Sequence, residues 1–118
     1  MSGYLTTHVL DTATGRPAEG MRIELYRLDA DGARVPMAET VTNADGRTDS
    51  HILPKEQFRT GEYELVFHVG DWLEATGNTG ESPRFLDVVP LRFGMAAEDH
   101  YHVPLLVSPY AYSTYRGS

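Results

Sequence analysis

The chain contains no cysteine. Disulfides, thiolate metal sites and a cysteine nucleophile are excluded together. Positive charge is scarce as well: 10 lysines and arginines stand against 17 aspartates and glutamates, a formal net charge of −7. A surface of that sign is poorly suited to nucleic acid or to an anionic membrane as the main partner. No apolar run approaches the ~20 residues needed to cross a bilayer as a helix. Met1 to Thr7 lacks a basic start followed by an apolar core, so no secretory signal is expected. The last three residues are not a peroxisomal address either, which leaves cytoplasm as the default compartment. There is no internal repeat and no low-complexity segment. What remains is a 118-residue chain, 41% hydrophobic and 23% charged, a length and mix that predict one globular domain over residues 1–118.

The hydrophobic pattern has a period of two. In Tyr4 to Leu10, Leu5, Thr7 and Val9 point one way and Thr6, His8 and Leu10 the other, a strand by alternation and β-branching. Asp11 to Gly20 is a loop by composition. Met21 to Leu28 alternates with Met21, Ile23 and Leu25 inward. Asp31-Gly32 then turns the chain into a returning strand over Val35 to Thr42. Asp45-Gly46 tips a second turn, and Pro54 to Gly61 is irregular. Glu62 to Val69 puts Tyr63, Leu65, Phe67 and Val69 on one face. Asp71 to Thr76 is the one good helix candidate, with Asp71 as cap, Glu74 completing a capping box and Gly77 as terminator. Asp87 to Phe93 is a strand whose Pro90 cannot donate to a ladder, which predicts an edge or a bulge. Gly94 to Asp99 connects to a closing hairpin over Tyr101 to Ser118. Seven or eight short strands with turns between them predict an antiparallel β-sandwich.

Strand parity sorts the histidines. His8 lies opposite Leu5 and Val9, and His102 lies opposite Tyr101, Val103, Leu105 and Val107, so both point away from the core. Either alone is ordinary for a solvated strand histidine; two on core-opposite faces are less so. His51 and His100 fall in or beside loops and are expected at the surface. His68 shares its outward face with Glu62 and Glu64, which predicts solvation or an ion pair there. Arg47 follows the Asp45-Gly46 turn, a position from which a side chain can reach a pocket, although most such arginines are plain surface residues. Tyr110, Tyr112 and Tyr115 crowd the last strand, as packing or an interface would. The histidine spacing carries no zinc signature, and no nucleophile elbow is present. Pattern alone thus gives a small sandwich with an outward His and Arg set and names no substrate.

Five stretches carry a further signal: LTTHVLDTATGRPAEGM, VTNADGRTD, GEYELVFHVGDW, FLDVVPLRFG and the closing YHVPLLVSPYAYSTYRGS. Together, from about Leu5 to Ser118, the sequence resembles the 5-hydroxyisourate hydrolases of the transthyretin-related family. The terminal Tyr-Arg-Gly-Ser is what separates that enzyme family from transthyretin, the hormone carrier on the same fold. The resemblance implies an all-β, transthyretin-like sandwich of two four-stranded sheets with one short helix. It implies a homotetramer, a dimer of dimers, with active sites in the channel where dimers meet. It implies hydrolysis of 5-hydroxyisourate to 2-oxo-4-hydroxy-4-carboxy-5-ureidoimidazoline in urate degradation, without metal or other cofactor. Matched motif by motif, the catalytic residues are His8, Arg47, His102 and Ser118. The substrate-binding set is His8, Arg47, Tyr115, Arg116, Gly117 and Ser118. The family's other member class supplies the alternative, a non-enzymatic carrier of a small aromatic ligand.

The residue types suit the reaction. Hydrolysis of a strained ring amide needs a water, a base for its proton and donors for the developing oxyanion. Neutral imidazole is a competent base near pH 7. Arginine stays charged and can hold a planar, urate-like ligand through paired hydrogen bonds. One well-aimed oxyanion donor is worth roughly 3–4 kcal/mol. His8 and His102 are therefore expected to share water activation and leaving-group protonation. Arg47 would polarise the carbonyls, and the terminal residues would close the pocket wall, Ser118 through either its hydroxyl or its carboxylate.

Overall fold

A computed structural model describes residues 3–117. Ser118, expected at the site, lies outside the described residues. The chain order is β1 (Tyr4–Asp11), β2 (Arg16–Pro17), β3 (Arg22–Leu28), β4 (Arg34–Val41), β5 (Gly61–His68), α1 (Val69–Ala75), β6 (Val88–Met95), β7 (His100–Ser108) and β8 (Ala111–Thr114). They form two four-stranded sheets, β2-β1-β7-β8 and β4-β3-β5-β6. Two four-stranded sheets with one short helix are the architecture that the resemblance implies.

The inward faces are those set by the alternation. Leu5, Val9, Val103, Leu105 and Val107 from the first sheet meet Ile23, Leu25, Tyr63, Leu65, Phe67 and Val89 from the second, all buried. Leu53 and Phe58 close one end, and Trp72 and Leu73 of α1 join the same core. Each such side chain contributes about 1.5–3 kcal/mol on burial. Between β3 and β4, the Asp29 carboxylate accepts from the amides of Asp31 and Ala33, and Gly32 takes a positive φ of 81°. A residue without a Cβ enters that conformation at little cost.

Several local expectations are corrected. The strand pairing is antiparallel except in one place: β1 runs parallel to β7, in register from Tyr4↔His100 to Asp11↔Val107. Parallel neighbours need a long crossover, and here almost the whole chain intervenes. The buried Thr7 hydroxyl ties the pair by donating to the Val103 carbonyl at 2.8 Å. The loop after β1 contains the short strand β2, and the second sheet's last strand runs on to Met95. The helix starts at Val69, two residues before Asp71, and its N-cap is His68 with no side-chain cap. Val69, Trp72 and Leu73 are buried and the Trp72 indole donates to the Glu19 carbonyl at 2.8 Å, so packing fixes this helix where a capping box was expected. Glu74 instead takes a hydrogen bond from Arg84 at 2.8 Å. Pro90 does lie on an edge strand, β6, with unbroken register against β5.

Candidate functional site

The site is built on the outer face of β1 and β7. Their parallel register sets Thr6 beside His102 and His8 beside Pro104. His8 and His102 are therefore diagonal neighbours, their rings 6.3 Å apart and inclined by 25°. Both are half-buried on the face away from the core, as parity required.

Arg47 is delivered by a cinched loop. The buried Thr42 hydroxyl donates to the Ala18 carbonyl at 2.6 Å and accepts from the Met21 amide at 2.9 Å, anchoring the end of β4. The Asn43 side chain then accepts from the amides of Asp45 (2.9 Å) and Arg47 (3.2 Å). The Asn43 backbone amide donates to the Arg47 carbonyl at 2.8 Å. Gly46, at φ 73°, passes so close to β1 that an added Cβ would collide with the Val9 carbonyl oxygen. The outcome is a β-bridge between His8 and Arg47, with the exposed arginine side chain beside the two imidazoles.

That cation leaves an electrostatic mark. Burial first, and then the Arg47 charge, hold the His8 imidazole below its ordinary value. The same two causes lower His102, with smaller pushes from His8 and His100. Both imidazoles are thus disposed to be neutral near pH 7, the form that accepts a proton.

The C-terminal segment closes over this face. The Gly117 amide donates to the His102 carbonyl at 2.7 Å, forming a β-bridge. Tyr115 and Arg116 go elsewhere. The Arg116 guanidinium lies 4.2 Å above the ring of Tyr101, a core-side residue of β7, and pairs with Asp99 at 3.3 Å. Tyr115 and Arg116 line a cleft with Phe93 and Val103, on the side of β7 opposite His102. The fold therefore brings His8, Arg47, His102 and Gly117 together and turns the Tyr115 and Arg116 side chains away.

The remaining histidines depart from expectation. His68 bonds to Glu24 on the neighbouring strand, its Nε2 donating at 2.8 Å, and not to Glu62 or Glu64. His51 and His100 bracket Tyr4, with ring centroids at 4.4 and 4.2 Å and near-parallel planes. His100 belongs to β7 and reaches the site: its Nε2 lies 2.8 Å from the Thr6 hydroxyl, which lies 2.8 Å from His102 Nδ1. Thr6 and His100 were missed as site residues, although parity could have found them. Thr6 is two residues from His8 and His100 two from His102, so each pair shares a face. Among the described residues no group of three His, Asp or Glu is placed to hold a metal ion. None of their helices is long and apolar enough to cross a membrane.

The model of the HIUase/Transthyretin family matches residues 5–117. A 5-hydroxyisourate hydrolase of Mesorhizobium japonicum is 62% identical over 116 residues, covering 98% of this chain and 93% of the relative. The structure of the Klebsiella pneumoniae 5-hydroxyisourate hydrolase superposes with a TM-score of 0.80 at 36% identity, with both chains fully covered. A crystal structure of (S)-allantoin synthase superposes with a TM-score of 0.91 at 48% identity; 99% of this chain is covered, and it spans 44% of that longer chain. With a family match over nearly its whole length and relatives of this identity, the chain belongs to the HIUase/Transthyretin family.

Proposed function

We propose that the protein hydrolyses 5-hydroxyisourate to 2-oxo-4-hydroxy-4-carboxy-5-ureidoimidazoline, acting as a cyclic amidase on the outer face of β1 and β7. The observation that carries this reading is the convergence of two half-buried imidazoles, lowered in basicity, on one arginine. Water attacks the ring amide carbonyl while a neutral imidazole takes its proton. Arg47 binds the flat, oxygen-rich ring and offsets the charge that grows on the carbonyl oxygen. The tetrahedral intermediate collapses as a protonated imidazole gives its proton to the leaving nitrogen, opening the ring. His8 and His102 are the imidazoles available for these two proton transfers. Gly117 holds the closing segment over His102. Tyr115 and Arg116 reach substrate only if that segment shifts, and they contribute first by anchoring it.

The deciding experiment replaces His102 by Asn, with the fold checked by circular dichroism. Loss of freshly made 5-hydroxyisourate, followed by absorbance against its spontaneous decay, should slow by about 100-fold or more, the scale of a general base. Wild-type decay in the variant would sink the assignment.

We further read the assembly as a homotetramer, a dimer of dimers. Exposed edge strands β6 and β8 leave backbone groups free to pair with another copy, and Tyr112 on β8 is 44% exposed. Light scattering should give four times the chain mass; a monomer would exclude it. The expected compartment is the cytoplasm, which cell fractionation tests. No specific observation favours the carrier reading.

A further inference from the structure

We propose that Thr6 and His100 form a proton relay behind His102, which fixes the His102 tautomer and lets the ring act first as base and then as acid while staying neutral. The inference rests on the reading that His102 moves a proton during hydrolysis.

The Thr6 hydroxyl lies 2.8 Å from His102 Nδ1 and 2.8 Å from His100 Nε2. A hydroxyl has one proton to donate, and the two rings are the partners of this one, so when it donates to one ring it accepts from the other. Two states satisfy all three groups. In the first, His102 Nδ1–H donates to Thr6 and Thr6 donates to His100 Nε2, leaving the lone pair of His102 Nε2 free. In the second, His100 Nε2–H donates to Thr6 and Thr6 donates to His102 Nδ1, leaving a proton on His102 Nε2. The first state presents a base to the reactants and the second an acid.

The exchange balances. Water gives its proton to His102 Nε2 as its oxygen bonds to the carbonyl carbon. The Nδ1 proton passes to the Thr6 oxygen, and the Thr6 proton passes to His100 Nε2. His102 ends neutral with its proton on Nε2, and His100 ends as imidazolium. When the ring C–N bond breaks, the leaving nitrogen takes the Nε2 proton and the relay runs back.

The surroundings disfavour a positive charge on His102. The titratable and charged groups about His102 are His8 on β1, His100 on its own strand and Arg47 from the loop after β4; the C-terminal segment presents the Gly117 amide to its backbone. An imidazolium there would face the arginine directly. His100 instead lies flat against Tyr4 at 4.2 Å and 9°, and the aromatic face attracts a cation. On the far side of Tyr4 is His51, and the Asp99 carboxylate accepts from the His100 amide at 2.9 Å. Thr6 is thus a positioning residue, and so is His100.

The test uses Thr6→Val, which keeps shape and β-branching and removes the hydroxyl, with Thr6→Ser as the conservative partner. Thr6→Val should lower kcat roughly 10- to 100-fold at unchanged KM, the scale on which orienting partners of a reactive imidazole act. Thr6→Ser should restore it to within about threefold. Imidazole 15N shifts give a readout independent of turnover: at pH 8 His102 should carry its proton on Nδ1 in the wild type and lose that preference in Thr6→Val. If Thr6→Val does not fold, His100→Phe, which keeps the stack on Tyr4, should show the same kcat loss. A folded Thr6→Val protein with wild-type kcat, or with unchanged His102 nitrogen shifts, overturns the relay. A wild-type protein that does not open 5-hydroxyisourate would overturn the function instead, and the nitrogen shifts would still decide whether the hydrogen-bond chain exists.

Discussion

Gly117 lies flat against His102: its amide donates to the His102 carbonyl at 2.7 Å, and a Cβ on it would stand 2.7 Å from the ring Cδ2 and 3.3 Å from the His102 Cβ. The glycine at this position is needed for room. A side chain there must push either the ring or the closing segment aside, because the contact reaches back to the root of the histidine. Gly117→Ala should therefore lower kcat/KM by about 10-fold or more, since small displacements of reacting groups are costly. Its unfolding midpoint in urea should stay close to wild type, because the segment is at the surface. Wild-type kcat/KM would show that the ring yields freely.

The second glycine acts on the other side of the site. Gly46 combines a φ of 73° with a close approach to the Val9 carbonyl oxygen. Gly46→Ala is expected to cost about 1–2 kcal/mol from backbone strain alone. The collision should also lift the loop and carry Arg47 away from His8. The expected result is a rise in KM and a fall in kcat beyond what the lost stability explains. Kinetics at a temperature where the variant is fully folded would separate the two.

Much of this was legible. Parity assigned Leu5, Thr7 and Val9 to the core and turned His8 and His102 outward, because a strand with one buried face has no freedom of register. The sheet partners were not legible. Nothing local says that Tyr4–Asp11 pairs in parallel with residues 100–107, so the chain Thr6, His100, His102 could not be assembled. By sequence His100 falls in or beside a loop; the Tyr4 amide donates to the Asp99 carbonyl at 3.1 Å and carries the strand pairing to it. The direction of Arg116 was equally hidden, since its partners Asp99 and Tyr101 come from the preceding hairpin arm.

pH dependence follows from the depressed imidazoles. Burial and Arg47 lower both His8 and His102 from 6.5, so the acid limb of kcat/KM should lie below pH 6.5. Arg47→Lys keeps the charge and should leave the limb in place while weakening binding. Arg47→Gln should move the limb up towards 6.5, though not fully, because burial is the larger cause. For stability the sign is as follows: between the lowered folded values and 6.5 the unfolded chain binds more protons, so stability rises with pH there. It is fully present above pH 6.5 and is lost as pH falls through the folded values. Glu24, lowered chiefly by its bond to His68, adds a second loss as pH falls below 4.5. A urea midpoint that is flat from pH 7 to pH 4.5 would contradict the first, and one that stays flat from pH 4.5 to pH 2 would contradict the second.

The outer face of the second sheet offers a contrast, because its charges are scaffold. Glu64 is 4% exposed and is met by Arg34 at 3.5 Å and Arg92 at 3.3 Å. Removing one arginine leaves the other to compensate the carboxylate, and removing both leaves a buried charge alone. The effects of Arg34→Ala and Arg92→Ala should therefore not add. Each alone should cost under about 1 kcal/mol, since both guanidinium groups are about half exposed. The double variant should cost about 2 kcal/mol or more. A double-mutant cycle in urea checks this, and kcat should not change in any of the three.

Deletion of Arg116 to Ser118 separates anchoring from chemistry. Arg116 holds an exposed ion pair with Asp99 and rests on the Tyr101 ring, contacts worth about 1 kcal/mol together at the surface. The core is untouched, so the truncated protein should fold with a midpoint near that of wild type. Activity should be lost, because the Gly117 contact that closes over His102 goes with the deleted segment. Arg116→Ala alone distinguishes the two roles. If Arg116 only anchors, that variant keeps kcat and shows a raised KM, as the segment spends less time closed. If Arg116 touches substrate, kcat falls with it, which would require the segment to rotate the side chain from the Tyr101 side of β7 to the His102 side on binding.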